Sequence, residues 1–162
     1  MPADVRFPRL EHNHSLCIKD ALADADKVCG SKGVRLTPQR RAILEIVWSS
    51  HKPIGAYEIL EILAKKTKSR AAPITVYRAL DFLIEQCLVH RIASLNAYMG
   101  CSHPGKHHSS CFLICDNCGQ AAQIVDDNIE NIISQEADRV GFTINLNLVE
   151  VSGVCSQCQA KT

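Results

Sequence analysis

Two cysteine pairs in the second half of the chain have the spacing of metal ligands. They are Cys115-x-x-Cys118 and Cys155-x-x-Cys158, separated by residues 119–154. Four thiolates at this spacing can surround one zinc ion tetrahedrally, and a closed shell of protein ligands is typical of a structural site. A thiol–disulfide redox pair also uses the C-x-x-C spacing. Redox enzymes need one such pair at a helix start, so two pairs favour structural zinc.

A second group of candidate ligands lies near the middle of the chain. It comprises His90, Cys101, His103, His107 and His108. Imidazoles with one thiolate make a borderline-soft donor set that suits zinc. Because His90 follows a predicted helix and the others lie in a predicted linker, an ion held here would fix the angle between two modules. The alternative is that the histidines are solvated loop residues and that Cys101 is simply small and buried.

The stretch 73–87 is predicted to form the helix that a nucleic acid would contact. Its apolar residues recur at helical spacing and are Val76, Leu80, Leu83, Ile84 and Cys87. Thr75 is the predicted N-cap, and Thr75, Tyr77 and Arg78 lie opposite the apolar stripe. Such groups can contact phosphates and base edges when a helix end enters a major groove. An ordinary amphipathic helix is the alternative interpretation.

Positive charge is concentrated in the same half of the chain. Residues 1–90 hold 14 Lys and Arg against 10 Asp and Glu, whereas residues 91–162 hold 4 against 7. The basic residues that flank the helix in sequence are Arg35, Arg40, Arg41, Lys65, Lys66, Lys68 and Arg70. Basic groups beside an inserted helix supply salt-dependent binding to phosphates, although a solvated surface explains any single lysine equally well. A polyanionic partner is therefore expected on the first half.

Composition places the chain among ordinary globular proteins. Its 162 residues are 46% hydrophobic and include nine cysteines, an odd number that argues against a complete disulfide framework. No export signal is recognisable, so the paired cysteines indicate metal ligands first. No apolar run approaches the roughly 18 residues that a membrane-spanning helix needs. We therefore expect a cytoplasmic protein that does not span a membrane.

The predicted elements of the first half follow the order of a winged helix-turn-helix domain. Thr37 followed by Pro38 marks the start of one helix. The full order is a helix over 15–32, the helix from Pro38, helices over 55–64 and 73–87, and strands over 88–92 and 97–99. We assign 15–99 to a winged-helix DNA-binding domain, preceded by a flexible arm over 1–14.

The second half is predicted to be a smaller α/β domain. Residues 100–110 have the composition of a linker, and the domain itself occupies 111–162. Its predicted elements are strands over 111–114 and 121–125, a helix capped by Asp126 or Asp127 and stopped by Gly141, and a half-buried strand over 142–148. The inner face of the helix is predicted to carry Ile129, Ile132, Ile133, Ala137 and Val140. The whole chain is therefore predicted to be α+β.

Several of these segments together resemble the ferric uptake regulator family. They are Val-Arg-Leu-Thr-Pro-Gln-Arg at 34–40, Ala-Tyr-Glu-Ile-Leu at 56–60, Thr-Val-Tyr-Arg-Ala-Leu at 75–80 and the two C-x-x-C pairs. The continuation Asp81-Phe82-Leu83, with Glu85-Gln86, Val89-His90 and Phe-Leu-Ile-Cys-Asp at 112–116, is similar to the zinc uptake regulator branch. The resemblance implies a homodimeric bacterial repressor that binds double-stranded operator DNA when zinc is plentiful and silences zinc uptake genes.

The same resemblance implies about two zinc ions per chain, one structural and one regulatory. The matching structural ligands, in a dimerisation domain, are Cys115, Cys118, Cys155 and Cys158, and the matching regulatory ligands are His90, Cys101 and His108. The usual fourth regulatory ligand of the branch is a glutamate, but the matching position here is Gln123. Because a neutral amide is a poor zinc ligand, His103, His107 or water is the expected replacement.

The resemblance also implies which residues face DNA. Tyr77 and Arg78 are the implied reading residues, and the other candidates are Arg35, Thr37, Gln39, Tyr57, Thr75 and Arg40. An iron-, manganese- or peroxide-sensing regulator is the alternative within the family, but the histidine-rich cluster of iron-sensing relatives is absent, which favours zinc. A thiol–disulfide oxidoreductase is the alternative from another class. No nucleophile–base pair or phosphate loop supports another enzyme, and zinc is the only small ligand expected.

Overall fold

The computed structural model describes Phe7 and residues 13–161. The predicted arm over 1–14 lies almost wholly outside the described residues. Two compact units make up the described chain. The first unit runs as far as Lys106, and the second comprises Phe7 and the residues from His107 onward.

The first unit contains four helices that share one core. They are α1 (His14–Lys32), α2 (Pro38–Trp48), α3 (Ala56–Thr67) and α4 (Pro73–Glu85). Each helix turns an apolar stripe inward, as expected for amphipathic helices around a common core. The buried members of these stripes include Ala25, Cys29, Ile43, Leu44, Val47, Ile59, Leu63, Val76, Leu80 and Leu83. The predicted stripe of α4 is thereby confirmed for Val76, Leu80 and Leu83.

A small antiparallel sheet completes this unit. Its strands are β1 (Ile54–Gly55), β2 (Val89–Ile92) and β3 (Ala97–Gly100), in the order β1-β3-β2. The predicted hairpin of β2 and β3 is confirmed, with a 3-10 turn over Ala93–Leu95 between the strands. The sequence does not predict β1, because two residues are too short to show an alternation of apolar and polar side chains. Helices α1 to α4 followed by this hairpin form a winged helix-turn-helix.

The start of α2 follows the sequence signal, but the start of α4 does not. The Thr37 side-chain oxygen accepts a hydrogen bond from the backbone N–H of Arg40 at 3.4 Å, so the predicted cap of α2 is confirmed. In α4, Pro73 is the first helical residue and Ala72 occupies the N-cap position, where it makes no side-chain hydrogen bond. Thr75 is the third residue of the helix, and its prediction as N-cap is wrong. Proline lacks an N–H and has a helical φ, so it begins this helix itself.

The second unit is built on a three-stranded sheet. Its elements are β4 (Ser110–Cys115), β5 (Ala121–Ile124), α5 (Asp127–Arg139), β6 (Leu148–Gly153) and the short α6 (Ser156–Gln159). The sheet order is β5-β4-β6, with β4 antiparallel to β5 and parallel to β6. The parallel pair needs a crossover connection, which α5 supplies. The predicted β-β-α-β order, the α+β class and the Asp126 cap of α5 are confirmed.

The predicted strand over 142–148 is wrong in its position. Residues 142–147 are irregular, and β6 begins only at Leu148. Of the apolar side chains that suggested the strand, Phe142 and Leu146 are exposed, with 64% and 81% accessible, and Ile144 and Leu148 are half-buried. The alternation of apolar and polar residues over 142–148 therefore does not correspond to a half-buried strand within this chain.

The predicted inner face of α5 is also not buried within the single chain. No residue of α5 is fully buried. Ile132 is 61% exposed, and Val140, which caps the helix, is 78% exposed. Ile129, Ile133 and Ala137 are only half-buried. Among the described helices, none is both long and apolar enough to span a membrane.

Candidate metal centres and nucleic-acid interface

The pairing of β4 with β6 brings the two cysteine pairs together. Cys115 ends β4 and lies opposite Gly153 at the end of β6. Cys118 follows in the turn after β4, and Cys155 is the N-cap of α6, which contains Cys158. Parallel strands end at the same edge of the sheet, so both pairs occupy that edge.

The four thiols are close enough to share one ion. Their sulfur atoms all lie within 4.8 Å of one another, and Sγ of Cys118 is 3.9 Å from Sγ of Cys155. In a tetrahedral site with zinc–sulfur bonds of about 2.3 Å, neighbouring sulfurs are about 3.8 Å apart. The spacing and the soft donor set therefore fit a zinc ion. Cys115 and Cys155 are buried, as a closed structural site requires.

The thiols of this cluster differ in how readily they ionise. The backbone N–H of Cys155 donates to Sγ of Cys115 at 3.3 Å. Mainly through this bond, and with help from the Cys118 backbone N–H, the pKa of Cys115 is lowered to about 6. Burial and hydrogen bonds with the neighbouring thiols raise the pKa of Cys158 to about 12. One thiolate is thus stable without a cation, but four adjacent negative charges are not, so full ionisation requires a bound metal.

Gln120 is a member of this site that the sequence does not reveal. Its side chain is buried, and the Cys118 thiol donates to its Oε1 at 3.9 Å. Its carbonyl oxygen accepts from the Cys115 N–H at 2.9 Å. An amide two residues after a C-x-x-C pair carries no recognisable signal, because only the folded turn shows that it points at the cluster.

Within the first unit, His90 and Cys101 come together at the hairpin. His90 lies on β2 opposite Met99, and Cys101 directly follows β3. A ring nitrogen of His90 and Sγ of Cys101 lie within 4.8 Å of each other. The Cys101 N–H donates to the carbonyl of Leu88 at 3.0 Å, and its sulfur accepts from the backbone N–H of His103 at 3.4 Å. The exposed imidazole of His103 contacts the Ser102 hydroxyl instead, at 3.0 Å.

Within the second unit, His108 contacts the residue that replaces the expected glutamate. The side-chain nitrogen of Gln123 is 2.7 Å from Nε2 of His108. Gln123 lies on β5 opposite Phe112, and both polar side chains are half-buried. His107 is exposed. The Gln123 amide can hydrogen-bond to a neutral imidazole through either of its polar atoms, so it suits His108 as a neighbour even though it is a poor ligand.

The N-terminal end of α4 presents the residues expected to face DNA to different extents. Arg78 is exposed, whereas Tyr77 and Thr75 are half-buried, and Tyr77 packs against the core. On α3, Tyr57 is 67% exposed. Arg78 and Tyr57 are therefore the most accessible of the predicted contacts on these two helices.

The predicted contacts near α2 are partly engaged in packing. Arg35 is exposed, while Gln39 and the capping Thr37 are half-buried. The Arg40 guanidinium lies 3.6 Å above the Phe82 ring of α4 and donates to the carbonyl of Arg35 at 2.7 Å. A guanidinium over an aromatic face is attractive, so Arg40 ties α2 to α4 whatever else it contacts.

The remaining basic residues fall into two groups. Arg41 pairs with Asp26, and Lys66 pairs with Glu45 at 3.3 Å. The exposed residues Lys65, Lys68 and Arg70 lie in the segment that leads into α4. Exposed positive charge beside the N-terminus of a helix suits an anionic partner.

The chain combines a winged helix-turn-helix unit with a unit that carries four clustered thiols. This combination places it in the class of metal-binding winged-helix proteins. The family model described as ferric uptake regulator family matches residues 31–152. The chain belongs to this family.

Relatives of known identity are similar over most of the chain. The zinc uptake regulation protein of Escherichia coli (strain K12) is 38% identical over 141 residues, which cover 86% of this chain and 82% of the relative. A zinc uptake regulator complexed with zinc and DNA aligns with a TM-score of 0.84 and 37% identity, covering 89% of this chain and 96% of that one. The holo form of XcZur aligns with a TM-score of 0.80 and 36% identity, covering 91% and 99%.

Replacing Arg40 by Ala is expected to destabilise the first unit by about 1 kcal/mol, because the contact with Phe82 and the hydrogen bond to the Arg35 carbonyl are lost. Urea denaturation of the purified variant measures this change. Arg70→Ala, which removes an exposed guanidinium, is the control and is expected to alter stability by less than about 0.5 kcal/mol. Equal stabilities for the two variants would show that neither interaction of the Arg40 guanidinium contributes to stability.

Proposed function

We propose that this protein is a zinc-dependent transcriptional repressor that binds operator DNA as a homodimer and represses zinc uptake genes. The combination of a winged-helix unit with a four-thiol cluster carries the proposal. The likeness to the Escherichia coli zinc uptake regulation protein and to the zinc- and DNA-bound regulator supports it. A regulator of this kind is not an enzyme and acts in the cytoplasm, where the operator DNA is.

Cys115, Cys118, Cys155 and Cys158 are the proposed ligands of a structural zinc ion. Zinc bound to four thiolates supplies folding free energy rather than catalysis, because no coordination position is left open. These residues come from the end of β4 and the turn after it, and from the start of α6. Zinc binding to these four cysteines would therefore join the two ends of the second unit.

His90, Cys101 and His108 are the proposed ligands of a regulatory zinc ion. The proximity of His90 to Cys101 supports the first two assignments, and the resemblance to the zinc uptake regulator branch supports His108. The fourth position is open to His103, His107 or water, while Gln123, whose neutral amide is a poor zinc ligand, occupies the position of the expected glutamate. Two imidazoles and one thiolate leave a bound zinc with a net charge of +1.

The proposed response to zinc is a shift of population between conformers. The three ligands favour a conformer only to the extent that they bind zinc more tightly in it. If that conformer also sets the two α4 helices of a dimer at the spacing of two half-sites, metal binding raises affinity for operator DNA. The thiolate and imidazole donors favour zinc over iron and manganese, and an oxidoreductase would need exposed, uncoordinated thiols in the cluster.

A homodimer would cover apolar side chains that the second unit leaves accessible. Its exposed large apolar residues are Ile132, Val140, Phe142, Leu146, Val151 and Val154. Burying these side chains against a second copy would remove their apolar surface from water, which favours association. The half-buried face of α5 continues the same character.

Cys101→Ser is expected to abolish zinc-dependent DNA binding and to preserve the dimer, because the structural cluster is untouched. The measurement is a gel-shift titration at buffered zinc concentrations. The probe is a duplex selected from a random-sequence pool by the zinc-loaded wild-type protein. Cys29→Ser, which changes a buried cysteine of α1, is the control and should respond to zinc as the wild type does. An unaltered response in Cys101→Ser would refute the regulatory assignment, and failure of the wild type to select any duplex would refute the function.

Cys118→Ser is expected to lose both the structural zinc and the dimer, because three thiolates no longer close the shell. Metal analysis and sedimentation velocity measure the two losses on one sample. Cys101→Ser serves as the matched variant, since it should stay dimeric and keep one zinc per chain. A dimeric Cys118→Ser protein with its full metal content would contradict the structural assignment.

Arg78→Ala is expected to weaken binding to the selected duplex by about 1–3 kcal/mol and to reduce discrimination against base changes. Exposure at the N-terminal end of α4 is the physical reason, since a guanidinium there can bind a base edge. Binding isotherms on the selected duplex and on single-base variants measure both effects. Lys65→Ala is the control and should weaken binding to all of these duplexes by a similar factor. If Arg78→Ala behaved in the same way, Arg78 would be a phosphate contact.

A further inference from the structure

The indole of Trp48 lies directly against the backbone of Gly100. A Cβ atom placed on Gly100 would be 2.1 Å from Cε2, 2.3 Å from Nε1 and 2.6 Å from Cζ2 of Trp48. Real Cβ contacts do not occur below 3.0 Å. Gly100 does not have a positive φ, so the glycine is needed for space and not for an unusual backbone conformation.

Gly100 is the residue that leads into Cys101. It ends β3, where it pairs with Val89 of β2, and Cys101 is next in the chain. Cys101 is 97% buried, since only 3% of it is accessible, and its N–H is held by the Leu88 carbonyl. The position of the Cys101 sulfur therefore depends on the last backbone unit of β3, which is the unit that the indole touches.

Trp48 also lies close to Cys101 across a cavity. Trp48 and Cys101 both line a cavity of about 210 Å³, whose walls also include Leu44, Leu88 and Pro104. The indole thus borders the space beside Cys101 as well as the backbone before it. Trp48 is the only tryptophan in the chain, so its fluorescence reports on this one place.

From these contacts we infer that Trp48 is a positioning residue for the regulatory metal site. By packing on Gly100 it holds the end of β3 so that Cys101 stays within reach of His90. The inference rests on the proposed function, because it concerns how Cys101 becomes a zinc ligand. Residues that orient a ligand without touching the metal commonly change metal affinity about 10- to 100-fold when they are altered.

The test compares zinc affinity in matched variants of the full-length protein. Competition with a chromophoric zinc chelator gives the affinity of the second, regulatory zinc equivalent, while the first remains on the four cysteines. Gly100→Ala is expected to weaken the regulatory equivalent by about 10- to 100-fold. Gly30→Ala is the control, because a Cβ there meets nothing within 4 Å, and it should bind zinc as the wild type does.

A double variant tests whether the two residues act through one contact. Trp48→Ala alone should also lower the affinity for the regulatory zinc. The double variant Gly100→Ala with Trp48→Ala should bind this zinc no less tightly than the single variant with the lower affinity. Fully additive losses, or wild-type affinity in Gly100→Ala, would overturn the inference. If Gly100→Ala does not fold, Trp48→Phe takes its place, and unchanged regulatory affinity in that variant overturns the inference.

Fluorescence separates positioning from a general effect on stability. In the wild type, Trp48 emission should change with the second zinc equivalent and not with the first, and Cys101→Ser should lose this change. If Trp48 emission did not change with the second zinc equivalent, the inference would be overturned, while the proposed repressor function would be unaffected. A wild-type protein that binds only one zinc per chain would instead refute the regulatory site itself.

Discussion

The parallel pairing of β4 with β6 is the constraint on which the second unit depends. It places Cys115 opposite Gly153, so that the turn after one strand and the helix start after the other meet at one sheet edge. Four thiols converge there, one with its pKa lowered to about 6 and another with its pKa raised to about 12. Because four adjacent thiolates repel one another, the cluster cannot ionise fully without a cation, so metal binding and the closure of this unit are linked.

The second unit also leaves large apolar side chains exposed. α5 has no fully buried residue, and Phe142 and Leu146 are exposed beyond it. A unit this small has only a marginal hydrophobic core, which a metal ion or oligomerisation can supplement. A second copy of the chain is the partner that our proposal gives to this surface. Metal binding and association then stabilise the unit through different residues.

Local signals in the sequence predicted most of the fold, and failures occurred where burial depends on something distant. The Thr37 cap, the apolar stripe of α4 and the cysteine spacing depend on neighbours within a few residues, and each was recognisable. Thr75 was mistaken for a cap because Pro73 can begin a helix without one. The strand over 142–148 was misplaced because apolar alternation cannot distinguish a strand from residues that a partner chain would cover. Gln120 was missed because only the folded turn directs its amide at the thiols.

The first unit shows how contacts outside any motif can govern a site. α2 spans 11 residues, about 16 Å at the usual helical rise. Near its start, Arg40 lies on Phe82 of α4, and at its end Trp48 lies on Gly100 beside Cys101. Cys101 is also held from the other side, because its N–H donates to the carbonyl of Leu88 just after α4 ends. The residues around Cys101 are therefore in contact with the end of α2 through Trp48 and with the segment after α4 through Leu88. Two packed elements thus restrict Cys101, although neither contact belongs to a recognisable sequence motif.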